Sequence, residues 1–521
     1  MQRLPSSEKR TRKDVAVYAG LLLVLLIIRL PSFFFSVFDW DESTFIVVGQ
    51  SILEGNLPYV TAWDIKPPLA FSLYALFIAL FGKSLAAVRL GGLLCIYIAS
   101  LLVYETGKAA NNRTAGIIAA LFLMVFVSSG PSGLSTMTEH LLLVPVSWAL
   151  YVMVSRRVTM RVAFLTGLLL GAGILTKTSM VFESLAVLAL VAWGSTNPGA
   201  PLSARIRQCA VLILGMAMPL VVVLCAYGAS DALDLLVRTN VNALFQYTGA
   251  TGASFSEKFG VFLFNIEDNI TLNPLVWITF VFGTVYLFVK ERGNPVFLAV
   301  PLIIFAVQMV SLLLIAQPFG YHYLFTSMPA MALVSGVFLS SWLSGQRTGR
   351  TLYHFVLLMV LGLGFFHSLQ GSAVKYYGQL RANLVERRPP GDDTCSRIAR
   401  FLESGGATGR YIYMVNSCQI VYWLTGSRYP TKYIHPSNLL IKEYLLKVMD
   451  GPEASREGEL RSILAKQPLF IVHRTDLWPK ELERFKRILD TELEARYELV
   501  QTIDIHYRIY ARRSETGGQG R

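Results

Sequence analysis

A cluster of carboxylates, a lysine and several aromatic rings crowd into residues 38–69. The stretch reads Phe38-Asp39-Trp40-Asp41-Glu42-Ser43, runs through Gly55-Asn56-Leu57-Pro58-Tyr59, and closes on Trp63-Asp64-Ile65-Lys66-Pro67-Pro68-Leu69. It follows an apolar segment of membrane length, so the charges are pinned against one membrane surface, where charge is disfavoured without a partner or a task. A hydrated carboxylate in that position suits a general base acting on an acceptor hydroxyl. Asp41 and Glu42 suit a second reading equally, as cap and first-turn acids of a short helix. Lys66, stiffened by two prolines, is a point charge suited to a phosphate, or an interfacial lysine reaching toward head groups. Tyr59, in the same stretch, is a candidate for substrate contact.

Further candidates lie downstream. Thr138-Glu139-His140 sets acid and imidazole side by side, an arrangement that can hold a divalent cation or supply a second base, or simply start a helix. Lys177 stands between two short apolar segments, and His322 and Tyr323 follow Phe319-Gly320-Tyr321. Each could meet a phosphate or a sugar hydroxyl, although an aromatic belt also accounts for Tyr323. Arg89 stands near the start of a span and serves as an anchor or a phosphate contact. Gly82-Lys83-Ser84 lacks the upstream glycine of a phosphate-binding loop. Glu183 is the main acid inside an apolar run, and a proton relay would call for more than one.

The elements that must position these groups are set by composition. The 521 residues are 53% hydrophobic and 16% charged, with many apolar runs long enough to cross a bilayer, which makes the chain a polytopic α-helical membrane protein. The net charge of +13 comes from Lys and Arg in short loops, the pattern of cytoplasmic retention rather than of nucleic-acid binding. Basic residues before the run 15–38 keep the N-terminus cytoplasmic and place 38–69 outside. If 69–81 does not cross, the main Arg-rich turns all fall on the cytoplasmic side. The count is then about 11 spans, or 11 to 13 if the short runs 162–175 and 180–193 pair differently against a bilayer core; residues 228–269 form a long external loop, and the C-terminal region is external. Residues 1–374 thus form a membrane domain, 375–513 a soluble α/β domain with strands at 411–415, 469–472 and 499–510, and 514–521 a disordered tail. Cys395 and Cys418 are the cysteines of the polar region and the candidates for a disulfide in an oxidising compartment.

Taken in order, Asp41-Glu42 after the first span, Lys66-Pro67-Pro68-Leu69, Phe81-Gly82 followed by Arg89-Leu90, Glu139, Leu175-Thr176-Lys177 and His322-Tyr323 resemble a GT-C-type membrane glycosyltransferase. The branch is that of the protein O-mannosyltransferases and the bacterial lipid A aminoarabinose transferases, and the resemblance covers roughly the first 370 residues of the chain. It implies a GT-C-like fold, a polyprenyl-phosphate-linked sugar donor, a hydroxyl acceptor on a lipid, glycan or protein, and inversion at the anomeric carbon at the external face of a bacterial inner membrane. Asp41, Glu42 and Glu139 would be the catalytic acids. Lys66, Lys177 and Arg89 would bind the donor phosphate, and Tyr59, His140, His322 and Tyr323 the substrates. No cofactor is required by the sequence; a divalent cation is possible. A transporter or lipid-carrier flippase with an external receptor domain is the alternative. It would place ionisable or broken-helix sites near the midplane, whereas here the charges gather on one surface.

Overall fold

The computed structural model describes residues 12–155, 158–194, 199–249, 254–290, 295–315, 320–345 and 350–513. The basic residues Arg3, Lys9 and Arg10, Arg156, Arg157, Glu291, Arg292, Arg347, Phe319 and the tail 514–521 lie outside them. The chain forms two compact units. One comprises Met1–Phe33, Arg89–Ala226 and Gly252–Gln379, the other Phe34–Val88, Tyr227–Thr251 and Leu380–Arg521. The stretch after the first helix therefore folds in one unit with the polar C-terminal region, a grouping that the compositional boundary at 374/375 does not reveal.

The first unit is helical. Among the described residues six helices are long and apolar enough to cross a membrane, seven if the bent pair Phe255–Leu272 and Pro274–Lys290 is one span; five apolar helices are shorter. A total of about 11 to 13 is reached only when the shorter helices cross too. The bend of 103° follows Asn273, where Pro274 disfavours helical backbone in the residue before it. Burial separates the helices. The window of 321–344 is 89% buried, while that of Leu202–Gly228 is 11% buried and apolar all round, a surface that calls for lipid. This second helix still packs on Met160–Ile174. A Cβ on Gly167 would lie 2.1 Å from the Leu212 carbonyl oxygen, and one on Gly171 2.3 Å from that of Met216, so the small-xxx-small spacing lets the two backbones touch. At the start of Arg12–Arg29, fully buried Asp14 takes contacts from Lys108 at 3.0 Å, Arg113 at 3.1 Å and the Tyr104 hydroxyl at 2.8 Å, fixing this helix to Leu85–Ala110 and Arg113–Phe126.

The region 228–269, expected as one long loop, contains the helix Phe255–Leu272. Ser254 and Glu257 form a reciprocal capping box at its start, a signal present in the sequence as Ser-x-x-Glu.

In the second unit, Trp40–Leu53 packs against Pro68–Phe81 through Phe45, whose ring lies 5.7 Å from that of Phe71 and 5.5 Å from that of Tyr74. Four strands make one sheet: β1 (Ile412–Met414), β2 (Phe470–Arg474), β3 (Tyr497–Ile503) and β4 (Tyr507–Arg512), in the order β1-β2-β4-β3. β1 runs parallel to β2, and the other pairs are antiparallel. The single strand expected at 499–510 is thus a hairpin. Three residues, 504–506, join the strands, and Asp504 and Ile505 both have positive φ, 50° and 62°; no glycine or Asn-Gly or Asp-Gly pair marks the turn in the sequence. Ile398, Leu402, Leu460, Ile463, Phe485 and Leu489 form the helical side of the core over Ile471 and Ile509, all fully buried. Cys395 and Cys418 are disulfide-bonded, with Cα atoms 5.6 Å apart.

Candidate functional site

Asp41 occupies the first turn of Trp40–Leu53, and the cap of that helix is Asp39, whose side chain accepts from the Asp41 N–H. The N-cap role falls to Asp39, while Asp41 and Glu42 are acids of the first turn, as the second reading expected; the Asp41 carboxylate projects as a partly exposed group, 30% accessible. Glu42 in the same turn is fully buried. Asp41 Oδ2 lies 3.4 Å from Lys66 Nζ, and Oδ1 lies 3.2 Å from His435 Nε2. His435 caps the short helix Pro436–Leu440. Its Nδ1 accepts from the Ser437 N–H at 3.2 Å and shares a 2.8 Å contact with the Ser437 hydroxyl. An Nδ1 that accepts a backbone N–H leaves the ring proton on Nε2, so His435 donates to Asp41.

Lys66 is placed from behind. Tyr59, buried and at φ 77°, donates its hydroxyl to the Lys66 carbonyl oxygen at 2.8 Å and accepts from Asn240 at 3.2 Å. A positive φ at a bulky residue is a strained geometry that surrounding contacts must hold. Burial also pushes the Tyr59 hydroxyl pKa well up. Tyr59, expected to touch substrate, therefore supports the Lys66 backbone instead. Asp64 accepts from the Lys66 N–H at 3.3 Å and from Asn438 at 2.9 Å. Buried Trp63 donates its N–H to the Lys432 carbonyl and its indole N–H to Thr239. Lys442, with Nζ 4.8 Å from the centre of the Tyr247 ring, has its pKa lowered by burial and by the Lys66 charge, against the opposing pull of Asp64 and Asp41. The result is two carboxylates, two ammonium groups and an imidazole in one place. His435 and Lys442 come from the polar C-terminal region, and no local motif marks either.

In the helical unit Glu139 and Lys177 form a buried ion pair. The second oxygen of Glu139 accepts from the Thr138 hydroxyl at 3.0 Å, and Lys177 Nζ lies 3.7 Å from the centre of the Tyr323 ring, a cation–π contact. Three of the expected site residues are thus together. The His322 ring stands edge-on to Tyr323, 4.5 Å between centres. His140 is different. It is fully buried, its Nδ1 accepts from the Met137 N–H at 3.1 Å, and its Nε2 meets the Val127 carbonyl at 2.7 Å. Both nitrogens serve the backbone, so His140 holds the 127–140 turn and is not available to substrate or metal. Arg89, expected at the donor phosphate, is likewise fully buried and donates to the Ser32 carbonyl at 2.7 Å, fixing the end of the first helix. Among the described residues no group of three or more His, Cys, Asp or Glu side chains could hold a metal ion. With His140 committed to backbone, Glu139-His140 does not supply a pair of ligands for a divalent cation.

The chain has the fold of the GT-C membrane glycosyltransferases. Residues 65–224 match the family model described as dolichyl-phosphate-mannose-protein mannosyltransferase. Among solved structures, ArnT from Cupriavidus metallidurans bound to undecaprenyl phosphate is 14% identical, with a TM-score of 0.59 over 96% of this chain and 98% of that one. The archaeal oligosaccharyltransferase AglB from Archaeoglobus fulgidus, in complex with an inhibitory peptide and a dolichol-phosphate, is 11% identical with a TM-score of 0.50, over 89% of this chain and 69% of that one. The arabinofuranosyltransferase AftD from Mycobacteria is 13% identical with a TM-score of 0.51, over 97% of this chain and 42% of that one. No curated protein matches the chain. The family model over residues 65–224 and the shared fold agree in kind: what the chain resembles are multi-pass membrane glycosyltransferases.

Proposed function

We propose that the protein moves a sugar from a polyprenyl-phosphate donor to a hydroxyl of a lipid, glycan or protein acceptor, with inversion, at the external face of a bacterial inner membrane. The observation that carries this is Asp41, a partly exposed carboxylate held between the Lys66 ammonium and the His435 N–H. In the reaction the acceptor oxygen attacks the anomeric carbon while its proton passes to Asp41. The bond from that carbon to the phosphate oxygen breaks, and its electron pair leaves with the phosphate. Lys66 and Lys442 balance the charge that develops on the departing phosphate. His435 fixes the orientation of the Asp41 carboxylate and is a positioning residue.

Glu139 and Lys177, paired in the helical unit, we assign as an acid and a cation for substrate, with His322 and Tyr323 beside them. Glu42, buried in the turn that carries Asp41, supports that turn. The undecaprenyl phosphate in ArnT and the dolichol-phosphate in AglB support a lipid-linked donor here. The disulfide supports an oxidising, external compartment for the C-terminal region.

The test is release of polyprenyl phosphate by the purified protein, given a labelled polyprenyl-linked sugar and an envelope acceptor fraction. Wild type should release it, and Asp41→Asn should be slower by roughly 10²- to 10⁴-fold, the usual contribution of a general base, with unchanged folding. No release by wild type above background would end the transferase reading and favour the transporter alternative, and equal release by the two proteins would remove Asp41 as the base.

A further inference from the structure

A cavity of about 860 Å³ opens in the unit that holds Asp41. One wall is the C-terminal half of Trp40–Leu53, with Gln50 and Ser51, followed by Glu54; the other is built by the C-terminal region, with the aromatic residues Tyr411, Tyr422, Trp423 and Tyr429. Its volume lies in the range of sites that enclose a small ligand, about 300–1,000 Å³, but its lining is unlike an apolar pocket. It carries four cations, Lys83, Arg428, Lys432 and Lys466, and three carboxylates, Glu54, Asp450 and Glu459.

The charges sort themselves. Lys432 pairs with Asp450, Glu459 accepts from Thr431, and Glu54 accepts from Gln50 at 3.2 Å. Lys83 and Arg428 make no ion pair among the described residues, and Lys83 Nζ lies 5.8 Å from the centre of the Trp423 ring. Two buried polar atoms of wall residues, Trp423 Nε1 and Gln50 Oε1, have no hydrogen-bond partner among the described residues. Buried donors and acceptors are nearly always satisfied. An apolar ligand would dehydrate the charged rim without compensation. A near balance of charge gives little attraction for a polyanion such as nucleic acid. What fits aromatic faces interleaved with amide, ammonium and guanidinium groups is a ligand with both apolar C–H faces and many hydroxyls.

We propose that this cavity is a carbohydrate-binding subsite that holds the glycan portion of the acceptor. Its use as an acceptor site rests on the transferase reading; carbohydrate binding by itself does not. Gln50 stands nine residues after Asp41 in one helix, which at 1.5 Å per residue is about 14 Å along its axis. Nine residues are also about two and a half turns, so Gln50 faces away from Asp41, and the cavity holds a part of the acceptor remote from the reacting hydroxyl. Lys83 and Arg428 extend the choice to sugars that carry a carboxylate.

The experiment uses the full-length protein in detergent and two probe series, neutral gluco-oligosaccharides and oligogalacturonates of one to six residues, read by saturation-transfer NMR and titration. Binding of at least one series is expected. Affinity should fall tenfold or more in Arg428→Ala, whose side chain is exposed, and in Trp423→Phe, which keeps a ring and deletes the indole N–H. Melting temperature checks that both variants fold. No transfer of saturation to either series, or equal affinity in both folded variants, overturns the proposal. Preference for the uronates that disappears in Arg428→Ala would establish the acidic subclass. Turnover of Asp41→Asn is scored separately. If wild type and that variant both fail to release polyprenyl phosphate while glycan binding holds, the transferase reading fails alone; if wild type is active, that variant is inactive and no glycan binds, only the cavity assignment fails.

Discussion

His435 Nε2 donates to Asp41 Oδ1 across 3.2 Å, and the Ser437 N–H on Nδ1 fixes the ring tautomer that makes this possible. One oxygen of the proposed base is thus held by an imidazole from the C-terminal region and the other faces Lys66. Replacing His435 by Ala removes the orienting donor and leaves the carboxylate. We expect kcat to fall about tenfold or more, with donor KM nearly unchanged, because a misdirected base costs rate rather than binding. His435→Gln, which can still offer an N–H, should recover part of the rate, and a variant series with no kcat effect would remove His435 from the site.

Tyr59→Phe deletes the hydroxyl that meets the Lys66 carbonyl and takes the Asn240 hydrogen. Leaving these partners unmet should cost about 1–3 kcal/mol and loosen Lys66. The measurable signs are a lower melting temperature together with a raised donor KM. Lys66→Ala should raise donor KM further, while Asn240→Ala should behave like a weaker Tyr59→Phe.

Lys442 gives the pH dependence. Burial lowers its pKa, with Lys66 adding to the effect and Asp64 and Asp41 opposing it. The unfolded chain therefore holds this proton more tightly than the folded one. The resulting cost to stability is complete below the folded pKa and is relieved as pH rises from there toward the ordinary lysine range. The same loss of a proton removes a cation from the proposed phosphate site. Donor kcat/KM should accordingly decline at alkaline pH before an ordinary lysine would titrate. In Lys442→Arg, which keeps its charge, that decline should vanish; a profile identical to wild type would show that Lys442 does not face the donor.

Parts of this arrangement were legible in the chain and parts were not. Asp41, Lys66, Glu139 and Lys177 stood out because charge beside or within apolar runs is costly, and the pairs Asp41–Lys66 and Glu139–Lys177 do form. His140 and Arg89 stood out for the same reason and serve the backbone, because a polar group near an apolar run is equally well satisfied by nearby carbonyls. Sequence does not tell those cases apart. His435 and Lys442 carried no signal, since their partners lie at the far end of the chain and the meeting is made by the tertiary fold. Helical periodicity and hydropathy reported the membrane unit well. They missed Phe255–Leu272, whose capping box was readable, and the β3–β4 hairpin, whose turn lacks the usual residues.

The Glu139–Lys177 pair separates stability from chemistry. Both side chains are largely buried, at 1% and 12% exposure. Removing one partner of a buried pair leaves the other charge poorly compensated, at a cost of about 3–5 kcal/mol. Glu139→Gln and Lys177→Met should therefore each lower the melting temperature in detergent. The double variant removes both charges, and replacing a buried pair as a unit is often close to neutral, so stability should return toward wild type. If the pair supplies an acid and a cation to sugar transfer, activity will not return with it. A double variant that is both stable and fully active would make the pair a device of the fold alone, and would leave Asp41, Lys66 and Lys442 to carry the chemistry.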